Sequence, residues 1–330
     1  MKVELATLES MGAWELVDRD DSMNVIDSTW AFKCKRYPDG LIKKFRARFC
    51  ARGDHQLQGI DFFETYAPVV QWTTVRLMLI LEVLFGLKSK QGDVTAAFLH
   101  AEIPEGEKVY VDMPCGFDQL SKNGRKKCLK LKRTLYGLRQ SPRAFWQYMT
   151  QKLEQSGLKQ SRFDPCLFVG EKVTVIVYVD DLIFWARDEA DIHNTAMKLR
   201  ELGVDLEQED DAAGFLGVTM DRNEHSGLLE MKQTGLIQRI IEAVGLDDSM
   251  VKGKYTPAEQ RPLIKNSDGK PPSGMFSYSS VVGMLFYLSG HTRSDITFAV
   301  NCCARYMFCP KKSHETAIKR LVRYLKLTQD

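Results

Sequence analysis

The sequence predicts an α+β fold, and three patterns along the chain support this class. Residues 173–186 form the most apolar and β-branched run, which two adjacent aspartates, Asp180 and Asp181, interrupt. The apolar runs on either side, about six residues each, favour two antiparallel strands with the acidic pair at the turn between them. Segments with helical spacing lie on both sides of this hairpin, and three more follow a Lys-, Pro-, Gly- and Ser-rich stretch at 251–275.

The other elements follow from periodicity and from turn residues. Y-P-D-G at 37–40 favours a tight turn between two basic strands. Ser141 is a plausible N-cap, and Pro142 suits the first helical position. The expected elements are strands at 30–36, 41–51, 89–94, 109–113, 128–131, 215–220 and 227–231, a buried helix at 73–87, a helical turn at 95–100, and helices at 141–156, 189–202, 235–244, 278–290, 295–307 and 314–328.

Composition excludes several classes of protein. No apolar stretch approaches the roughly 18–20 residues that cross a bilayer. The N-terminus contains Glu4, Glu9 and Glu15 and is unlike a signal peptide, so an intracellular protein with no membrane partner is expected. The eight cysteines include no C-x-x-C pair, which argues against a zinc site or a compact disulfide framework.

The net charge of +3 conceals blocks of opposite sign. Residues 119–153 contain ten bases and no acid, and a second basic stretch covers 33–52, whereas 205–211 is acidic. Bases with aromatic residues nearby suit a phosphate backbone and stacked nucleobases. A solvated basic face is an equally good explanation of the pattern taken by itself.

Adjacent carboxylates in apolar surroundings require pairing, hydrogen bonds or a bound cation. Nucleotidyl transfer uses two divalent metals roughly 3.5–4 Å apart, and Mg²⁺ needs only a few protein carboxylates because substrate phosphates supply further oxygens. Successive strand residues point to opposite faces, so Asp180 is expected to bridge the metals and Asp181 to lie nearer the rim. Asp93, after a short strand, is the candidate third ligand, with a helix cap or turn residue as the alternative.

At this point the motifs resemble those of a known family. Y-V-D-D at 178–181 resembles the Y-x-D-D box of reverse transcriptases, and Q-G-D-V-T-A-A-F-L at 91–99 is similar to a box of copia-type LTR retrotransposon polymerases. In the segment 292–296, Ser294 stands where the family usually has Pro, and this position is not a catalytic one. The other matches, in order along the chain, are 30–35, 46–53, 64–69, 135–143, 215–217, 292–296 and 319–326.

The resemblance implies a right-hand polymerase fold, with fingers, a palm of antiparallel sheet plus helices, a thumb, and a mostly helical C-terminal connection. The implied divisions are 1–90 for the fingers and the start of the palm, 91–187 for the palm, in which the basic segment 119–153 returns toward the fingers, 188–250 for a thumb-like region, and 251–330 for a linker and the connection that precedes an RNase H domain.

The resemblance also implies roles for individual residues. Asp93, Asp180 and Asp181 match the palm carboxylates that bind two Mg²⁺ ions, for which Mn²⁺ is a possible substitute. Phe98 matches the aromatic gate that excludes a ribose 2′-hydroxyl. Candidate dNTP contacts are Phe98, Arg46, Lys35, Tyr136 and Gly137, with Arg48 as an alternative to Arg46 and Lys35, and candidate nucleic-acid contacts are Tyr178, Phe215, Leu216, Gly217, Lys130, Lys132 and Arg139. A solvated hairpin and core packing are the competing explanations for the basic residues and for Phe98, Phe215 and Leu216.

The function implied is RNA-directed DNA polymerase activity, with an RNA or DNA template, a primer and dNTPs as partners. Integrase and RNase H segments are expected in a full polyprotein, and the expected location is the cytoplasm, within virus-like particles if the element is intact. The alternative is a catalytically inactive, retroelement-derived protein that binds nucleic acid. Steeply salt-dependent binding without extension under any metal would favour that alternative. Oligomeric state is left open.

Overall fold

A computed structural model describes residues 1–36, 42–122, 124–209, 214–223, 226–248 and 250–329. The chain divides into two compact units, Met1–Asp211 and Ala212–Asp330. Helices and strands mix in both units, and all strand pairs in the named sheets are antiparallel except one. The predicted α+β class is therefore confirmed.

The helices occur mainly where 3.6-residue periodicity predicts them. None of those in the described ranges is both long and apolar enough to span a membrane. Their bounds are α1 Lys2–Ser10, α2 Trp72–Phe85, α3 Ser141–Gln155, α4 Glu189–Glu201, α5 Thr234–Val244, α6 Tyr278–His291, α7 Thr297–Ala304 and α8 Lys312–Leu327, with short 3₁₀ helices at Gly53–His55, Ala97–His100 and Ser294–Ile296.

Within the described residues, the strands form four sheets. Their orders are β1-β7-β6-β2, β12-β5-β11-β10-β9-β8 and β3-β4 in the first unit, and β13-β14-β15 in the second. The strands are β1 Trp14–Asp18, β2 Val25–Ile26, β3 Ser28–Arg36, β4 Ile42–Ala51, β5 Lys88–Val94, β6 Tyr110–Asp112, β7 Lys127–Leu131, β8 Lys159–Gln160, β9 Leu167–Val169, β10 Val173–Tyr178, β11 Asp181–Ala186, β12 Leu206–Glu209, β13 Gly214–Phe215, β14 Val218–Asn223 and β15 Leu228–Lys232.

The six-stranded sheet is central to the first unit, and both faces of its middle hairpin are buried. Alternate residues such as Val175 and Phe184 share a core with residues of α3 and α4. The intervening residues face the other side, where the indole Nε1 of Trp185 donates a hydrogen bond to buried Glu82 of α2 at 2.8 Å. Burial of both faces explains why the hairpin sequence is almost continuously apolar.

The second unit contains a helical core built from α5, α6, α7 and α8. The 251–275 stretch, expected as a linker, lies within this unit and is tied to α8. Lys254 N donates to Arg323 O at 3.2 Å, and Ser273 N donates to Glu315 Oε2 at 2.7 Å. The compact units divide earlier, between Asp211 and Ala212. The division into fingers, palm and thumb stays a prediction.

Several local expectations need correction. Helix α2 is buried on one face only, because Leu77, Ile80 and Leu84 are more than half exposed. Gln140, not Ser141, occupies the N-cap of α3, and the Ser141 hydroxyl donates to Leu135 O instead. Helix α1 and strand β1 were not expected. The turn predicted at 37–40 lies outside the described residues.

Candidate active site

The two central strands meet in a two-residue turn, with Asp180 in the turn and Asp181 at the start of β11. Tyr178 is paired with Asp181 in the β10·β11 register, which leaves Val179 and Asp180 as the turn. Val179 has φ +54°, a left-handed conformation that a β-branched residue rarely adopts. Such strained positions persist where the surrounding structure holds them and cluster at functional sites. The expectation that the pair lies at the tip of the hairpin is correct.

Asp93 reaches the same end of the sheet from the neighbouring strand. In the β11·β5 register Asp93 lies directly opposite Asp181, and Asp180 O accepts a hydrogen bond from Val94 N at 2.8 Å. Residues directly opposite in antiparallel strands have Cβ atoms about 4.5–5.5 Å apart and share one face of the sheet. The fold therefore brings three aspartates from two distant segments of sequence to one place.

The three aspartate residues are partly exposed. In the part of the chain that the structure describes, no three Asp, Glu, His or Cys side chains lie close enough together to hold a metal ion by themselves. The arrangement is an open, acidic sheet end and not a closed metal cage. Which of Asp180 and Asp181 would bridge two ions stays a prediction.

The acidic row continues onto β12, which sequence reasoning did not predict. Glu207 lies opposite Asp93 on its other side and is exposed. The alternation of buried Val204 and Leu206 with exposed Asp205 and Glu207 is a strand signal that could have identified this edge strand.

Phe98 lies beside this end of the sheet, on the 3₁₀ turn Ala97–His100 that matches the predicted helical turn. Its ring meets the ring of Tyr136 edge to face, with centroids 5.0 Å apart, and the ring of Phe145 at 6.1 Å. The hydroxyl of Thr134 donates to Phe98 O at 2.5 Å. Phe98 is thus fixed from two sides while remaining partly exposed.

Tyr136 contacts the basic hairpin of β3 and β4 and lies within electrostatic range of Asp180. The guanidinium of Arg48 lies 4.6 Å from the centroid of the Tyr136 ring. Burial raises the pKa of Tyr136; the positive charges of Arg48 and Arg46 oppose this shift, and the negative charge of Asp180 adds to it. The phenol therefore lies within electrostatic range of both the bases and the acidic turn.

The remaining dNTP candidates lie on or beside this hairpin. Arg46 is opposite Lys33 in the β3·β4 register, and the backbone of Lys35 is opposite Lys44. The side chain of Lys35 lies outside the part of the chain that the structure describes. Gly137, with φ +93°, packs its backbone against that of Ala51 on β4.

Lys132 and Arg139, which are predicted nucleic-acid contacts, each have a polar partner within the protein. Lys132 Nζ is 2.6 Å from Glu15 Oε1, and this hydrogen bond lowers the pKa of Glu15. Arg139 Nε donates to Gly53 O at 2.7 Å. Lys130 lies on β7, and Tyr178 lies opposite Asp181 at the sheet end. Contact of these four residues with nucleic acid stays a prediction.

Phe215, Leu216 and Gly217 belong to the second unit. The Phe215 side chain is buried, which agrees with a core role. Leu216 and Gly217 form the turn between β13 and β14, both with positive φ, and Leu216 O accepts a hydrogen bond from the Tyr287 hydroxyl at 2.6 Å. A role for this turn in holding a primer stays a prediction.

Comparison with known proteins agrees with the motifs. Residues 11–260 match the family model described as "Reverse transcriptase (RNA-dependent DNA polymerase)". The chain is 30% identical to the Retrovirus-related Pol polyprotein from transposon TNT 1-94 of Nicotiana tabacum, over 99% of this chain and 25% of that protein. It is 31% identical to the corresponding polyprotein from transposon RE1 of Arabidopsis thaliana, over 94% of this chain and 21% of that protein.

A more distant relative is the Transposon Ty1-GR3 Gag-Pol polyprotein of Saccharomyces cerevisiae, 26% identical over 99% of this chain and 19% of that protein. The chain thus spans a quarter or less of these relatives' lengths. Among solved structures, a foamy viral protease-reverse transcriptase dRH in complex with ds DNA matches with a TM-score of 0.48 and 12% identity, over 99% of this chain and 48% of that one.

Proposed function

We infer, since the chain belongs to the reverse transcriptase (RNA-dependent DNA polymerase) family, that it is an RNA-directed DNA polymerase of the copia type. It would add deoxynucleotides to a primer annealed to an RNA or DNA template. The 3′-hydroxyl of the primer attacks the α-phosphorus of the incoming dNTP, and pyrophosphate leaves.

The observation that carries this proposal is the register at the sheet end. Asp93 lies directly opposite Asp181, and the Asp180 carbonyl is bonded to the next residue of β5, Val94. Three carboxylates fixed by two paired strands suit a reaction in which catalysis is mostly positioning and charge stabilisation.

The donor set fits divalent metal ions. Carboxylate oxygens are the ligands that Mg²⁺ prefers, and it completes its octahedron with water and substrate phosphates. A partly exposed set that forms no cage by itself is consistent with ions that arrive with the nucleotide. We propose that Asp93, Asp180 and Asp181 hold two Mg²⁺ ions, with Mn²⁺ able to substitute. When bound, the ions would activate the primer hydroxyl and stabilise the leaving oxygen.

The nucleotide pocket is proposed to lie beside these aspartates. Phe98 would exclude a ribose 2′-hydroxyl, while Tyr136 and Gly137 would face the templating pair. Arg46 and Lys35, with Arg48 as an alternative, would neutralise the triphosphate, because cationic side chains bind phosphate oxygens strongly. The contacts among Phe98, Tyr136 and Arg48 support a single pocket.

The remaining parts of the proposal concern the wider assembly. The basic segment 119–153, with Lys130 and Lys132, would follow the template-primer backbone. The divisions at 1–90, 91–187, 188–250 and 251–330 would correspond to fingers, palm, thumb and connection. Integrase and RNase H segments of a Pol polyprotein would be partners, and the site of action would be the cytoplasm, within virus-like particles if the element is intact.

The test is primer extension by Asp180→Asn on an RNA template with Mg²⁺. The matched control is Asp188→Asn, an exposed acid at the start of α4 that makes no side-chain cap bond. We expect extension to disappear only in Asp180→Asn, with both variants folded by circular dichroism. Extension by Asp180→Asn at the rate of the control would overturn the proposal, and salt-dependent binding without extension by the unaltered chain would favour the inactive alternative.

A further inference from the structure

We propose that Arg139 is a positioning residue that locks the 135–140 loop to the end of β4 and thereby fixes Tyr136 in the nucleotide pocket. This inference rests on the proposed function, because the pocket is the one proposed there. It gives Arg139 a task different from the nucleic-acid contact that the sequence predicts.

Two glycines allow the 135–140 loop to pack against the end of β4, a set of contacts called the lock below. A Cβ atom at Gly137 would stand 2.1 Å from Ala51 O, and one at Gly53 would stand 2.0 Å from Gly137 O. Both distances are far inside van der Waals contact and involve backbone atoms, so no side chain fits at either position. The two backbones lie against each other, and Ala51 N donates a hydrogen bond to Tyr136 O at 2.9 Å.

Arg139 adds hydrogen bonds next to this backbone contact. Its Nε donates to Gly53 O at 2.7 Å, and its backbone N donates to Gln56 Oε1 at 2.9 Å. The amide of Gln56 donates in turn to Gln140 Oε1 at 3.0 Å, and both glutamine residues are buried. The guanidinium also lies over the Phe62 ring at 5.6 Å. Buried polar networks whose members are satisfied in this way rigidify a site.

The lock has a direct consequence for the pocket. Strand β4 holds Tyr136 at two points, through the main chain at Ala51 and through the guanidinium of Arg48 over the ring. Tyr136 in turn holds the edge of Phe98. Loosening the 135–140 loop would therefore move the Tyr136 ring while the aspartates stay in place. If the ring contacts the bound nucleotide equally in the ground state and in the transition state, the loss appears in the dNTP KM and not in kcat.

The competing explanation is a phosphate contact, because Arg139 is exposed as a residue. The two roles predict different measurements. A phosphate contact contributes about one unit to the slope of log affinity against log salt concentration for the template-primer. A positioning role leaves that slope unchanged and alters the apparent KM for dNTP.

The experiment compares four variants of the full chain in single-nucleotide incorporation and in salt-dependent binding of a template-primer. Arg139→Gln removes the lock and a charge, whereas Gln56→Ala weakens the lock without removing a charge. Arg139→Lys keeps a donor and the charge. Lys159→Gln removes an exposed charge on β8, outside both basic stretches and away from the residues proposed for the pocket.

We expect Arg139→Gln and Gln56→Ala to raise the dNTP KM on the order of tenfold, with kcat changed less and the salt slope unchanged. Arg139→Lys should restore most of the loss, and Lys159→Gln should leave the dNTP KM as it is. A salt slope lowered by about one in Arg139→Gln, with an unchanged KM, would overturn the positioning role.

Hydrogen exchange provides a readout that does not depend on polymerase activity. The Ala51 amide, which donates a hydrogen bond to Tyr136 O, should exchange faster in Arg139→Gln and Gln56→Ala than in Lys159→Gln. Equal exchange in all of these variants would overturn the lock even if the chain polymerises. Faster exchange in a chain that does not polymerise would overturn the proposed function and leave the lock standing.

Discussion

Two regions of the first unit resemble family motifs, and their polar groups differ in what surrounds them. At the sheet end, Asp93, Asp180 and Asp181 are partly exposed beside an otherwise buried hairpin. In the 135–143 segment, Gln140 is buried and the Arg139 Nε donates to a backbone carbonyl. We propose that the first motif match marks the chemistry and that the second marks the architecture that positions it.

The largest expected effect is at the sheet end. Asp93→Asn should reduce the primer-extension rate by a factor on the order of 100 to 1000 or more, because in the proposed mechanism it weakens the hold on the metal ions that would stabilise the transition state. Its thermal unfolding should stay close to that of the unaltered chain. Steady-state extension assays measure the rate, and a reduction of less than about tenfold would contradict a catalytic role for Asp93.

The glycine contact should show the opposite behaviour, with a large loss of stability. Gly137→Ala combines φ +93° with a Cβ atom 2.1 Å from Ala51 O, whereas Gly116→Ala has φ +86° with open space around it. A strained φ alone costs about 1–3 kcal/mol, and the clash adds to it. In denaturant unfolding, Gly137→Ala should therefore lower the free energy of unfolding by about 2 kcal/mol more than Gly116→Ala does. Equal losses of unfolding free energy in the two variants would show that the close approach of Gly137 to Ala51 does not restrict the side chain at position 137.

The sequence predicts the sheet end well because its signals are local. Alternating apolar residues indicate the strands, and an acidic pair within them has few structural explanations. The lock depends on residues that are distant in sequence: nothing near Gly53 indicates that Gly137 will pack against it. The exposed face of α2 was missed for a related reason, because an apolar helix looks the same in sequence whether one face or both faces are covered.

In contrast to the partly exposed aspartates of the first unit, a carboxylate in the second unit, Glu315, is buried, and it should make the stability of that unit depend on pH. Glu315 accepts hydrogen bonds from Ser273 N and Oγ and pairs with Lys319 at 2.8 Å. Burial raises the pKa of Glu315, but the bonds from Lys319 and Ser273 outweigh burial and lower it from 4.5 to about 2.

Because the folded-state pKa of Glu315 is depressed, its stabilisation is present above pH 4.5 and is lost as the pH falls toward 2. The loss should amount to about 2 kcal/mol or less. Unfolding of the second unit, followed by denaturant titration between pH 5 and 2.5, should be less pH-dependent in Glu315→Gln than in the unaltered chain. Identical pH dependence would contradict this assignment.

The smallest expected effect is at Glu207. This exposed acid lies opposite Asp93 on the edge strand, and solvent screens its charge. Glu207→Gln should change the Mg²⁺ concentration for half-maximal extension by only about two- to threefold. A loss of activity as large as that of Asp93→Asn would mean that Glu207 is also a metal ligand. Glu207 and Asp93 would then not differ in role.

The most direct test of the central claim is a count of bound metal ions. Mn²⁺ binding, followed by electron paramagnetic resonance, is measured on the complex with template-primer and a non-hydrolysable dNTP analogue. We expect about two tightly bound ions in the unaltered chain and fewer in Asp93→Asn, Asp180→Asn and Asp181→Asn. If all three variants bind as many ions as tightly as the unaltered chain, the three aspartates do not form the metal centre.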